Sequence, residues 1–127
     1  MQRFFWVCLA GALGTGVRYA IGLWAGQRFE SPFPTATLIV NLIGCLLIAF
    51  IMQLALRLAT FPPDLRVILT TGFMGGLTTY SAFNYETTKL WLSGARSMAL
   101  LNFGVTVVGC LVAGLIGLVL AQRVSGG

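Results

Sequence analysis

The sequence has little charge and no histidine, and these shortages exclude most soluble and enzymatic classes. Of its 127 residues only 9% are charged and 57% are hydrophobic. A soluble domain carries roughly 25% charged residues, so too little polar surface remains to cover a water-facing globule. The chain also offers no nucleophile with a nearby base and no paired carboxylates, and we predict that it is not an enzyme.

Clustered basic residues are lacking as well. The net charge is +5, but the basic residues are scattered and have no aromatic residues interleaved between them. A nucleic-acid surface needs a continuous basic face, so we exclude nucleic acid as a partner and interpret these charges as interfacial anchors. They are Arg3, Arg18, Arg28, Arg57, Arg66, Lys89, Arg96 and Arg123.

The cysteines show no metal-binding pattern. Cys8, Cys45 and Cys110 are isolated within apolar stretches and have no ligand-like spacing. Lone cysteines of this kind are usually small packing residues. The sequence therefore predicts neither a disulfide nor a metal–thiolate site.

Long apolar runs fill the chain instead. A spanning helix needs about 20 mainly apolar residues, and four such windows fit. We predict a single domain over residues 1–127, an all-α membrane protein of four transmembrane helices in the lipid bilayer. An uncleaved first helix is favoured over a signal peptide because Arg18 and further glycines follow the first apolar run. The predicted spans are residues 4–24, 36–56, 65–92 and 98–121.

The third span contains a glycine- and threonine-rich centre. Gly72, Gly75 and Gly76 precede paired threonines and Ser81. Because glycine is unfavourable inside helices, this pattern predicts a broken helix between Gly72 and Ser81. Non-helical backbone at membrane depth must be buried in protein or line a cavity, and its freed carbonyls can coordinate a small cation. A close-packed glycine kink is the structural alternative.

Uncharged side chains suited to an anion accompany the break. The Asn41 amide could donate to a dehydrated anion, or equally make an interhelical hydrogen bond. Tyr80 and Phe83 are three residues apart and therefore project close together. Their electropositive ring edges could stabilise an anion, whereas ordinary packing is the default for such a pair.

Ionisable side chains near the spans have open roles. Arg18 could attract anions to a vestibule or extend its charge to the interface. Glu86 and Lys89 have the spacing of an interfacial pair on one helix face. A proton relay is the less favoured interpretation of that pair.

The distribution of charge hardly favours one membrane orientation. Four spans place both termini and the second loop on one side, with Arg3, Arg57, Arg66 and Arg123. The other side holds Arg28, Arg96 and either Lys89 or Arg18. Orientation depends on such asymmetry, which is weak here, so both orientations are permitted. An antiparallel dimer would follow, and a chain this short needs a partner to enclose a pore.

Three segments together resemble one known family. Residues 72–83 read GFMGGLTTYSAF and resemble the third-helix signature of the CrcB/Fluc family of fluoride channels. Residues 37–44, TLIVNLIG, resemble its second-helix signature, and residues 11–18 resemble its first-helix pattern. The resemblance extends over essentially the whole chain.

The resemblance implies a dual-topology antiparallel homodimer in the bacterial inner membrane that exports fluoride passively through two pores. It implies a structural sodium ion on the two-fold axis, held by the backbone carbonyls of Gly75 and Thr78 from each subunit. The residues that it assigns to the anion path are Asn41, Tyr80 and Phe83, then Thr79 and Ser81 as a hydroxyl stripe, with Arg18 in the vestibule.

Several residues depart from the family pattern. Tyr80 stands where phenylalanine is usual, and Ala82 and Asn84 replace small hydroxyl residues. On the fourth span, Cys110 and Gly114 stand where serine or threonine is expected. These departures affect the expected ion path more than the dimer or the cation site.

Two other classes of protein share some of these features. A small proton-coupled multidrug exporter is also a four-span dimer, but it needs an intramembrane carboxylate, typically on the first span. The first span here has no Asp or Glu, and Glu86 lies near the end of the third. A structural subunit would need small packing faces but not a broken helix opposite Asn41.

Overall fold

The computed structural model describes residues 1–126, and every regular element in that range is a helix. This confirms the all-α prediction. The elements are α1 (Gln2–Arg28), α2 (Thr35–Arg57), α3 (Pro63–Val67), a π-helix (Ile68–Met74), α4 (Gly75–Leu77), α5 (Tyr80–Leu92) and α6 (Arg96–Val124).

Three helices, α1, α2 and α6, are long and apolar enough to cross a membrane. They have 27, 23 and 29 residues and correspond to the predicted first, second and fourth spans, each somewhat longer than predicted. Large apolar side chains such as Leu13, Leu111 and Leu115 are exposed along them. Apolar exposure of this extent is expected when lipid, rather than water, surrounds a helix. The chain is thus a multi-pass membrane protein.

The remaining predicted span is divided in the structure, and we call residues 63–92 the third span. Its helix is interrupted where Thr78 and Thr79 adopt extended backbone, with φ −90° and ψ 156° at the first and φ −153° and ψ 117° at the second. The sequence predicted an interruption, but it placed the glycines within it. Instead Gly72, Gly75 and Gly76 remain helical, and the break is confined to the two threonines.

The glycines serve close packing between α1 and the third span. A Cβ atom on Gly76 would collide with the Gly11 carbonyl oxygen, and one on Gly14 would collide with the Phe73 carbonyl oxygen. Small residues at such contacts let two helix backbones approach closely within lipid. The glycines therefore serve this close packing, and the break lies within the predicted range 72–81 but leaves the glycines helical.

The most extensive contact in the chain joins α2 and α6. Leu42 lies against Gly109, and one turn further along α2 and about two turns further along α6 the Leu46 carbonyl lies against Gly117. The two contacts advance in the same direction along both helices, so α2 and α6 run parallel. A different face of α2, carrying Asn41, is turned towards the third span.

Candidate functional site

The side chain of Asn41 stabilises the break by hydrogen bonding to the backbone of Thr79. Its Oδ1 accepts the Thr79 backbone N–H at 2.9 Å, and its Nδ2 donates to the Thr79 carbonyl at 3.1 Å. The amide thus replaces both hydrogen bonds that an extended residue would otherwise lack at membrane depth. This is the interhelical role that the sequence left open. A primary amide has two N–H donors, so one remains for another acceptor.

The other amides at the break are also redirected. In a continuous helix the N–H of residue i donates to the carbonyl of residue i−4. The Thr79 N–H would then donate to Gly75, but it goes to Asn41. The Ala82 N–H would donate to Thr78, but it goes to the Thr79 hydroxyl at 3.2 Å, which caps α5.

The carbonyls of Gly75 and Thr78 consequently lose their helical donors. Backbone carbonyl oxygens are suitable ligands for a hard cation. These two carbonyl oxygens are therefore suitable ligands for the sodium ion that the family resemblance implies. Gly76, which lies between them, differs, because its carbonyl accepts a hydrogen bond from Arg18 Nε at 3.0 Å.

A cavity of about 300 Å³ opens on one side of the break, and we call it the aromatic cavity. It is bounded by residues from α2, the break, α5 and α6, and none of them carries a charge at neutral pH. Its walls include Asn41, Thr78, Tyr80, Phe83 and Thr106, together with Cys45 and Cys110. Four of the five predicted anion-path residues therefore lie together at this cavity, namely Asn41, Thr79, Tyr80 and Phe83.

The aromatic rings of this cavity meet edge to face. The centroids of Tyr80 and Phe83 are 5.8 Å apart at an interplanar angle of 60°, which confirms that the two rings project near each other. Phe83 is buried and also stacks on Phe103 at 6.4 Å, whereas Tyr80 is 77% exposed. An edge-to-face pair presents ring hydrogens beside the neighbouring ring's face. Packing thus fixes the Phe83 ring, whereas the Tyr80 ring lies at the open side of the aromatic cavity.

The predicted hydroxyl stripe is divided between two environments. Thr79 borders the aromatic cavity, and its hydroxyl caps α5. Ser81 is exposed, and its hydroxyl lies 3.2 Å from that of Thr79. The structure therefore links the two hydroxyls but brings only Thr79 to the cavity wall.

A second cavity of about 350 Å³, the charged cavity, lies on the other side of Thr79. Arg18 and Glu86 both line it. The Thr37 hydroxyl donates to Glu86 Oε1 at 2.8 Å, while Oε2 is buried with no hydrogen-bond partner among residues 1–126. The predicted Glu86–Lys89 pair is wrong, because within the described part of the chain the one ion pair joins Arg3 to Asp64. Glu86 turns inward to α2 instead.

Sequence reasoning missed a buried polar network between α5 and α6. Asn102 is 1% exposed, and its amide donates to the Thr87 hydroxyl at 2.8 Å and accepts from Thr106 at 3.3 Å. The Thr87 hydroxyl in turn donates to the Phe83 carbonyl at 2.7 Å. The four-residue step from Asn102 to Thr106 on an otherwise apolar helix was the available signal. The network fixes α5, and hence Phe83, against α6.

The chain is similar to known proteins along its whole length. The family profile described as "CrcB-like protein, Camphor Resistance (CrcB)" matches residues 5–118. A protein of Sorangium cellulosum named "Fluoride-specific ion channel FluC" is 45% identical over 127 residues, covering 100% of both chains. Proteins with the same name from Anaeromyxobacter sp. (strain K) and Chloroflexus aurantiacus are 47% and 40% identical over 126 residues, covering 99% of this chain and 100% of each relative. These names describe channels and not enzymes, as the sequence predicted. The chain belongs to the CrcB/FluC family of fluoride ion channels.

Proposed function

We propose that this protein conducts fluoride selectively and passively out of the cytoplasm across the bacterial inner membrane. The observation that carries the proposal is the full-length similarity, at 40–47% identity, to channels named as fluoride-specific. The two cavities on either side of Thr79 supply a physical route for such an ion.

Fluoride is small and strongly hydrated, so its entry into a membrane protein requires donors that replace water. The aromatic cavity offers the second N–H of Asn41, the hydroxyl of Thr106 and the ring edges of Tyr80 and Phe83. None of these groups is a fixed cation, so none would trap the ion. Conduction needs binding that is favourable enough for entry and weak enough for release.

Arg18 is the candidate for attracting the anion. Its Nε is engaged by the Gly76 carbonyl, which leaves the terminal guanidinium N–H groups beside the charged cavity. It takes part in no ion pair in the described residues, although the Glu86 carboxylate lines the same cavity. A positive charge held at a cavity mouth raises the local concentration of anions.

The third span is proposed as the fourth membrane crossing, and two chains are proposed to pair as an antiparallel, dual-topology homodimer. The open side of the aromatic cavity supports this assembly. Tyr80 is 77% exposed and Phe103 is 55% exposed, so a single chain leaves one wall of the path missing. A second copy in the opposite orientation would supply that wall.

A sodium ion at the dimer centre is proposed as a structural component. The carbonyls of Gly75 and Thr78, deprived of their helical donors, would hold it, and two such pairs would supply four oxygens. The ion would neutralise those carbonyl dipoles and tie the two broken helices together. Transfer from Na⁺ to N-methyl-D-glucamine buffer should then shift the purified protein from dimer to monomer; an unchanged dimer fraction would remove sodium from the proposal.

Fluoride efflux from liposomes tests the function directly. Purified protein is reconstituted with internal fluoride or chloride, and release is followed with an ion-selective electrode after a potassium ionophore sets the voltage. Fluoride should leave rapidly and chloride should be retained. Equal rates for the two ions would disprove selectivity.

The same preparation distinguishes a channel from a proton-coupled exporter. A protonophore collapses any pH gradient while potassium still carries the compensating charge. Passive conduction predicts unchanged fluoride efflux, and loss of efflux would favour coupling to protons.

A further inference from the structure

Two of the three cysteines border the same cavity, although the sequence predicted three isolated thiols. Cys45 on α2 and Cys110 on α6 both line the aromatic cavity. The helix backbones are close at this level, since a Cβ atom on Gly114 would lie 3.9 Å from the Cys45 carbonyl oxygen. Cys8 is exposed on α1 and does not line this cavity. The tertiary structure thus brings two thiols that are far apart in the sequence to the wall of one cavity.

The number of ligands decides which metal such a dithiol suits. Within residues 1–126 no group of three or more His, Cys, Asp or Glu residues is placed to hold a metal. Structural zinc takes four ligands in a tetrahedron, so two thiols do not form a zinc site. Thiolates are soft ligands and select soft metals. Soft d¹⁰ ions such as Cu⁺, Ag⁺ and Hg²⁺ readily accept linear coordination by two sulfurs.

We propose that Cys45 and Cys110 form a binding site for a thiophilic, two-coordinate d¹⁰ metal ion within the aromatic cavity. On binding, each S–H bond breaks, its proton passes to water, and a metal–sulfur bond takes its place. No atom is oxidised or reduced. Because the ligand is the thiolate, affinity increases with pH.

The position of the site gives it a consequence for conduction. A metal bridging the two sulfurs lies in the cavity that Asn41, Tyr80 and Phe83 also line. It fills space that a permeating anion needs, and a soft metal has little affinity for hard fluoride. Metal binding therefore blocks the path. This blockage rests on the proposed channel function, whereas the binding itself does not.

Binding is tested on the full-length protein in detergent, reduced and then freed of reductant. One equivalent of Hg²⁺ per chain is added, excess 2-mercaptoethanol is applied, and retained metal is counted by mass spectrometry. The second sulfur binds intramolecularly, so wild type should retain Hg²⁺ on the order of 100-fold better than a single-thiol site. Cys45→Ser and Cys110→Ser should each lose that retention, and Cys8→Ser should keep it. Equal retention by all variants, or none by wild type, would overturn the site.

Blockage is tested by fluoride efflux, with each variant compared with its own untreated rate. Hg²⁺ should stop efflux through wild type and Cys8→Ser and leave Cys45→Ser and Cys110→Ser unaffected. Retention of Hg²⁺ with undiminished efflux would overturn the blockage alone. If untreated wild type releases no fluoride, the channel function fails, and the retention measurement still decides the metal site.

Discussion

The two cavities that meet at Thr79 differ in charge. The aromatic cavity contains no ionised side chain, and its polar groups are an amide, hydroxyls and thiols. The charged cavity contains both Arg18 and Glu86. The extended backbone of Thr79, held by Asn41, contributes to the walls of both.

In the function proposed above, this difference separates attraction of the anion from its dehydration, two tasks that conflict when one site performs them. A fixed charge attracts an anion from water, but in a low-dielectric interior it would also hold the ion too tightly. Uncharged donors replace hydration with smaller individual energies and permit release. A protein that places attraction on one side of a thin partition and dehydration on the other meets both needs. The partition is the break in the third span.

Loss of the Asn41 amide, which stabilises the break between the two cavities, should have the largest effect on stability and on fluoride efflux. Asn41→Leu leaves two backbone groups of Thr79 without partners, at about 1–3 kcal/mol each, so thermal stability should fall strongly. The lost donor to a charged ion, worth about 1.5–3 kcal/mol, predicts fluoride efflux reduced by roughly 10- to 100-fold. Efflux normalised to the monodisperse protein recovered from size-exclusion chromatography provides the measurement.

Two variants separate stability from conduction at this position. Asn41→Asp keeps an acceptor for the Thr79 N–H and presents negative charge to the anion, so it should fold better than Asn41→Leu and conduct no better. Gln122→Leu removes an exposed amide near the end of α6, away from both cavities, and should conduct normally. Normal efflux through Asn41→Leu would show that the two cavities need no such partition.

A larger side chain at the contact between α1 and the third span should lower the thermal stability of the protein. A Cβ atom in Gly14→Ala would meet the Phe73 carbonyl and lie 2.9 Å from the Leu77 nitrogen. Overpacking of this kind costs about 1–3 kcal/mol, so the melting temperature should fall. Gly16→Ala is the matched control, because a Cβ there has no neighbour within 4 Å. Equal melting temperatures for the two variants would contradict the close contact.

Neutralisation of Arg18 should weaken attraction without closing the path. Arg18→Gln is expected to lower efflux by about tenfold at low fluoride and low ionic strength, where steering by charge is strongest. The deficit should shrink as fluoride concentration or salt increases, because screening removes the same advantage from the wild type. Arg18→Lys should retain most of the rate, and Arg28→Gln, at the end of α1, serves as the control. A deficit independent of salt would instead assign Arg18 to dehydration.

The Tyr80 hydroxyl should have the smallest effect. Tyr80→Phe keeps the ring edge that faces Phe83, and the ring itself is largely exposed in one chain. We expect efflux to change by less than about threefold, below the effect of losing a hydrogen bond to an ion. Tyr85→Phe, on the same helix and also exposed, is the control. A loss well above tenfold would mean that the hydroxyl donates to fluoride.

Several contacts at the break could be predicted from helical spacing. The spacing of Thr37, Asn41 and Gly44 by four and three residues places them on one helix face, and all three contact the third span, at Glu86, Thr79 and Thr78 respectively. The Tyr80–Phe83 pair followed from a three-residue step. These predictions succeed because helix geometry alone decides which side chains of one helix share a face.

Contacts between distant segments could not be predicted in this way. Glu86 was paired with Lys89 on its own helix, but it bonds Thr37, which is 49 residues away. The glycines were placed in the break, although they remain helical against α1. In both cases a neighbouring helix decided the outcome, and its register was not visible in local sequence.

The sequence by itself determined that this protein lies in a membrane, that its third span is interrupted and which family it belongs to. Hydropathy and motifs are local properties of the sequence, so they can be recognised without knowing which helices contact one another. Only the tertiary structure decided that the break falls on Thr78 and Thr79, that Arg18 binds the Gly76 carbonyl and that Cys45 and Cys110 line one cavity. Each of these depends on how closely two helix backbones approach, and that distance is set by packing across the whole fold.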